Sequence, residues 1–372
     1  MHLIPQNHPR LISVSKKLCY LFIFIFSLAT PLGATELAVK QLLANGECRQ
    51  CDLSGVDLRM TNLSGSDLSG ANLDKAILYG SDLSDANLQG ASLRGTSFAR
   101  TDLSGANLQG VVIKRGRFSR ADLSGANLQN SDLEEANFIG ANLSGANLTG
   151  ANLKSSIFTE SRLVATDLSN TTLDGADLRG VDLSQVGSLS QASFKKTNLR
   201  NSNLSGLDLS HIDFSQARLL KANLSNTLLV SSLLIETELK KARMGGADLR
   251  QATLRRSQMH GVNLKGAQFQ GAQLDGVVVS GNLIDANFSE ATIVRANMNG
   301  ANLKGSRFHQ AKLEFTDFGS ANLYAADFTQ AALHRCNFRK ANLREAKFEG
   351  VDLTGNIMDG ARGVESNPSQ AK

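Results

Sequence analysis

The sequence predicts an all-β solenoid, a single rod made by one chain coiling on itself. Three observations point there. A large apolar residue recurs at every fifth position through most of the 372 residues. The residue two places before it is small, and the one just before it is typically Asn or Asp. The chain has four Pro (Pro5, Pro9, Pro31 and Pro368), so residues 35–367 contain none. Ordinary linkers and Pro-initiated turns are therefore missing from that stretch. The absence of Trp and the presence of only three Tyr in 39.7 kDa agree. A globular enzyme of that size closes its core with many aromatics from varied contexts.

The period of five holds one phase from Leu53 to Leu183, which is 27 units. A one-residue insertion near Val186-Gly187-Ser188 shifts it, and the second phase runs from Leu189 to Leu274 for 18 units. A one-residue deletion near Val277-Val278-Val279 restores the first phase, with 17 units from Val278 to Met358. Neither a helix, with apolar spacing near 3.6, nor a strand, with spacing of 2, explains a period of five. A chain that turns a corner every five residues does.

Units such as Ala71-Asn72-Leu73 and Ala141-Asn142-Leu143-Ser144-Gly145 resemble the A-[DN]-L-x-x repeats of the pentapeptide-repeat family, and the resemblance covers residues 51–360. It implies a right-handed quadrilateral β-helix with four repeats per coil. The Phe positions give an independent check on the coil length. Phe98, Phe118, Phe138 and Phe158 are spaced by 20, as are Phe288, Phe308, Phe328 and Phe348, and as are Met298, Phe318, Phe338 and Met358. Coils of 20 residues stack each series inside the rod as packed core. At the usual strand spacing, roughly 15 coils make a rod about 75 Å long. The Asn or Asp before each centre is expected to satisfy backbone groups at the turn, and Gly two places after it to accept positive φ.

Both ends of a solenoid need protection. Residues 35–50 read as a short capping helix with a Cys-x-x-Cys lead-in, with Thr35 as N-cap, Gly46 as stop, and Leu37, Leu42 and Leu43 over the first coil. Residues 361–372 are a polar tail without apolar periodicity, so the last coil, with Phe348, Leu353 and Met358, is expected to be exposed or paired with another copy. Relatives of the family dimerise by their C-terminal coils, and the resemblance implies a homodimer of that kind.

Residues 1–34 have the parts of a secretory signal peptide: Arg10, Lys16 and Lys17 without an acid, the apolar run 18–28, and small residues ending at Ala34. The expectation is export, to the periplasm, thylakoid lumen or cell exterior, with an uncleaved signal anchor as the alternative. Cys48 and Cys51 precede the first repeat. In an oxidising compartment they would form a disulfide tying cap to coil, or else simply fill the core. A redox site lacks the βαβ context, and no His is near enough in sequence to complete a zinc site. Cys336 occupies a small-residue position and reads as a buried free thiol.

No catalytic signature is present, so the expectation is a non-enzymatic protein without cofactor or metal. Charge is zoned. Residues 51–183 hold 11 Lys and Arg against 16 Asp and Glu, residues 189–274 hold 12 against 5, and residues 275–372 hold 11 against 11. In the middle block Lys195, Lys196, Arg200, Arg218, Lys221, Lys240, Lys241, Arg255 and Arg256 fall on two adjacent faces of the expected coil. They are either a solvated face or a docking surface for an acidic partner, a protein or an anionic membrane surface. Nucleic acid is not expected, because stacking aromatics are missing from the patch. The function expected is an exported scaffold, a protein-binding rod. The alternative is a nucleic-acid mimic that binds a topoisomerase through the acidic first half, as some members of the resembled family do.

Overall fold

The computed structural model describes residues 33–363. The expected leader lies outside the described residues except for Gly33 and Ala34, and the expected tail except for 361–363. One helix, α1 (Ala34–Asn45), precedes a continuous parallel coil. Strands long enough to name are β1 (Gln258–Asn263), β2 (Val278–Asn282), β3 (Thr292–Val294), β4 (Lys312–Glu314) and β5 (Ala332–His334). They pair in parallel as β1–β2 and β3–β4–β5. Elsewhere the units, that of Leu353 excepted, contribute isolated parallel bridges, Asp52↔Asn72 and Asn72↔Ser92 for example. Bridge partners 20 residues apart put every fourth five-residue unit in one column. The pairing starts at Glu47, which bridges Asp67, one unit ahead of Leu53.

One unit shows why the sequence repeats as it does. The Asp67 N–H donates to the Gly46 carbonyl of the preceding coil at 2.8 Å, and Leu68 and Gly70 donate to Asn87 and Gln89 of the next at 2.8 and 2.9 Å. Ala71 closes a turn onto the Leu68 carbonyl at 3.0 Å. The Ser69 N–H is taken by the Asp67 side chain at 3.0 Å. All five N–H groups are used, so Pro fits nowhere in the unit. The third turn residue, Gly70, has φ +67°. Non-glycine residues hold this place at similar angles, Lys75 at 60° among them.

The apolar centres and the small residues form one core. The small positions take mostly Ala, Ser or Thr, with Val181 and Ile212 also buried there, and many of the Ser and Thr hydroxyls donate to a carbonyl of their own or the preceding coil. Ser81 Oγ and Thr101 Oγ1 both donate to the Leu78 carbonyl at 2.6 Å. The Phe series are stacked core, as their spacing predicts. Ring centroids in the run from Phe98 to Phe158 are 5.2, 5.0 and 4.9 Å apart. Two columns, Phe308–Phe328 and Phe318–Phe338, meet edge to face, at 82° for Phe308 and Phe318.

Three details differ from the sequence reading. The centre after Leu274 is Val279, 2% exposed, rather than Val278. β1 and β2 keep a 20-residue register at Met259↔Val279 and change to Val262↔Gly281, so the deletion falls at Ser280-Gly281. The helix begins at Ala34 without a side-chain cap, so Thr35 lies inside its first turn, while Gly46 ends it with φ 75°. Leu42 is buried against the coil, but Leu37 and Leu43 are 61% and 53% exposed, because only one stripe of a short helix can face a narrow coil end.

The insertion has a structural cost. Bridge spacing becomes 21 across it, as in Asp167↔Ser188 and Asp182↔Asn203, and returns to 20 at Ser193↔Asp213. On either side one rung is lost among the described residues: Arg162 does not bridge Asp182, and Ser188 does not bridge Asp208. Ser161 Oγ, beside the first break, is buried without a partner.

Candidate partner-binding surface

The expected basic residues occupy two adjacent columns. Lys195, Lys196, Arg255 and Arg256 follow the centres Phe194 and Leu254, and Arg200, Arg218, Lys221, Lys240 and Lys241 flank Leu199, Leu219 and Leu239. Four are ion-paired: Lys195 to Asp213 at 3.2 Å, Arg200 to Glu238 at 3.7 Å, Arg255 to Asp275 at 3.9 Å and Arg256 to Glu236 at 3.6 Å. Lys196, Arg218, Lys221, Lys240 and Lys241 are exposed and make no ion pair among the described residues. Lys221 and Lys240 are on neighbouring coils, the Lys221 N–H donating to the Lys240 carbonyl at 3.0 Å. The free positive charge is thus concentrated on the second column.

Sequence reasoning missed an aliphatic belt in the same block. Leu228 and Leu233 are 44% and 36% exposed, and Val230 and Ile235 are partly exposed beside them. The signal was present in Thr227-Leu228-Leu229-Val230, where Leu replaces the usual Asn or Asp before the centre and Val the usual polar residue after it.

The acidic first half holds an ordered column: Asp82, Asp102 and Asp122 bridge one another on consecutive coils. Their carboxylates accept the N–H groups of Ser84, Ser104 and Ser124 at 2.9–3.0 Å. Elsewhere the same Asp geometry lowers the pKa. Asp67 is held below the usual carboxylate range by the Ser69 hydroxyl and N–H, and Asp208 by Ser210, with help from the His211 charge.

Cys48 and Cys51 are joined by a disulfide, with Cα atoms 5.5 Å apart. Cys48 is buried beneath α1. Cys336 is a buried free thiol whose pKa burial pushes up. Among the described residues no group of His, Cys, Asp and Glu is arranged to hold a metal ion, and no helix is long and apolar enough to cross a membrane.

Family models cover nearly all of this coil. "Pentapeptide repeats" matches segments from residue 47 to 281, and "Pentapeptide repeat region" matches 281–356. The chain belongs to the pentapeptide-repeat family. The matched segments leave out residue 116 and residues 186–187, the latter at the inserted residue. Among solved pentapeptide-repeat proteins, Rfr23 of the cyanobacterium Cyanothece 51142 is 32% identical over 37% of this chain and 94% of its own, with a TM-score of 0.29. HetL of the cyanobacterium Nostoc, described as involved in heterocyst differentiation regulation, is 22% identical over 89% and 96%, with a TM-score of 0.15. A pentapeptide-repeat protein of the Arabidopsis thaliana thylakoid lumen is 30% identical over 32% and 70%, with a TM-score of 0.13. No curated protein matched the chain significantly.

Proposed function

We propose that this pentapeptide-repeat chain is a non-enzymatic, exported scaffold, a rod that binds a protein partner through a flat charged side. In this reading the coil is right-handed and four-sided, α1 is its N-terminal cap, and the last coil offers a homodimer contact. The observation that carries it is the concentration of unpaired Lys196, Arg218, Lys221, Lys240 and Lys241 on a rigid surface. A preformed array of like charge favours an acidic partner and fixes its register. The leader of residues 1–34 supports export to the periplasm, thylakoid lumen or cell exterior.

Fractionation of native cells followed by crosslinking and identification of bound proteins tests both parts. The expected result is an extracytoplasmic rod whose crosslinks disappear on combined Lys221→Glu, Lys240→Glu and Lys241→Glu substitution. Recovery in the cytosol alone with residues 1–34 retained would sink export, and crosslinks indifferent to the substitutions would sink the surface.

A second reading keeps the acidic column in view. Asp82, Asp102 and Asp122 on successive coils form a regular row of negative charge, which suits a nucleic-acid mimic that binds a topoisomerase. Inhibition of purified topoisomerase by the rod, lost on Asp102→Asn and Asp122→Asn, is the expected outcome of that reading.

A further inference from the structure

The inserted residue near Gly187 opens a cleft of about 820 Å³ between two coils, lined by Val186, Leu189, Leu207 and Ile212 among others. One unit later the coils close again, Phe194 donating to the Asp213 carbonyl at 3.0 Å. One unit earlier Leu183 donates to Asn203 at 2.8 Å. Between these points the ladder is empty. The N–H groups of Leu189 and Gln191 on one lip have no acceptor among the described residues, and the carbonyls of Asp208 and Ser210 on the other have no donor. The equivalent groups of the next coil are paired, Leu209 to Leu228 at 2.7 Å and His211 to Val230 at 2.9 Å. Those bonds also place the aliphatic belt directly beyond the second lip, with Leu233 tied to Ile212 at 2.9 Å.

We propose that this cleft is a docking site for a short, extended, apolar segment of a partner protein, held by main-chain pairing to the lips and by side-chain contact with Leu228, Val230, Leu233 and Ile235. One lip offers donors and the other acceptors. An extended polypeptide presents both kinds of group at matching intervals, as in strand addition to a sheet edge. A lipid phosphate supplies acceptors for Leu189 and Gln191 but no row of donors at strand intervals for the Asp208 and Ser210 carbonyls, so a peptide is the better occupant. The exposed aliphatics give the segment's side chains an apolar seat beside the cleft. This site rests on the reading that the rod binds a protein, and deepens it.

The test uses the purified full chain and a fluorescein-labelled, acetylated Val-Thr-Val-Thr-Val peptide. Saturable binding by anisotropy is expected, with slowed hydrogen exchange at Leu189 and Gln191. Methylating alternate peptide nitrogens, or deleting Gly187 so that the spacing returns to 20, is expected to weaken binding about tenfold or more, the effect of losing one or two hydrogen bonds. Should the deletion variant fail to fold, the exposed-site pair Val230→Ser and Leu233→Ser serves instead and is expected to weaken binding similarly. Absence of saturable binding, or binding indifferent to nitrogen methylation and to these variants, overturns the site. So does a concentration-dependent dimer that the belt variants dissociate, since the occupant would then be a second copy. Native crosslinks that persist when peptide binding fails would leave the scaffold reading standing without this cleft.

Discussion

A Cβ on Gly281 would stand 2.2 Å from the carbonyl oxygen of Val262. The contact arises because one residue is missing from the corner between Val279 and Leu283, so the chain cuts across the coil at φ 128°. Gly281→Ala is therefore expected to destabilise the rod by about 2–4 kcal/mol through backbone overlap and strain. The loss should be concentrated around β1 and β2. Hydrogen exchange resolved along the chain checks this, and unchanged protection at 258–282 would refute it.

The stacked Phe columns carry a large share of the core. Phe118 is fully buried between Phe98 and Phe138, with centroids at 5.2 and 5.0 Å. Phe118→Ala should cost about 3–5 kcal/mol in denaturant unfolding, by loss of transfer energy and creation of a cavity. Phe315, 46% exposed under Arg335, is the contrasting case. Phe315→Ala should change stability by no more than about 0.5 kcal/mol.

Acid should loosen the coil. The carboxyls of Asp67, Asp208 and Asp248 are held below their ordinary value of 3.8, first by the side chains of Ser69, Ser210 and Arg250 respectively. A carboxyl with a depressed folded value adds stability that is fully present above the unfolded value and lost as pH falls through the folded one. The melting temperature should therefore hold near neutrality and drop below about pH 4, where unfolded carboxyls take up protons first. Asp67→Asn keeps an acceptor for the Ser69 N–H, as Asn does at many equivalent places, and should flatten that dependence. A steeper acid response in the variant would contradict the assignment.

The disulfide closes a very short loop, so its effect should be modest and local. Cys48→Ser with Cys51→Ser should cost about 2 kcal/mol by chain-entropy reasoning. In a solenoid each coil contacts only its neighbours. Exchange should accelerate in α1 and the first coil, and stay unchanged beyond about two coils. Acceleration at the far end would show coupling that this architecture does not provide.

Much of the rod was legible in the chain because five residues form a complete structural sentence. The unit uses every N–H, so its composition is constrained at each place. Asp67 reads as a turn acceptor, Leu68 as core and Gly70 as a left-handed corner without reference to distant sequence. The Phe spacing of 20 gave the coil length for the same reason. The functional surface was legible only in part. The nine basic residues could be placed in two columns from the numbering, but not which of them were neutralised. Arg256 meets Glu236, and Arg200 meets Glu238 two coils along.

By itself, then, the sequence determined the repeat, the core, the single-rod organisation and the two slips in phase. Tertiary structure alone decided what those slips did. The deletion was absorbed, because Gly281 lacks the side chain that would collide with Val262. The insertion was not, because the extra residue by Gly187 lengthens one coil against neighbours of fixed length, and the rungs Arg162–Asp182 and Ser188–Asp208 separate. Whether a register change closes or gapes depends on contacts between coils, which a local repeat does not encode.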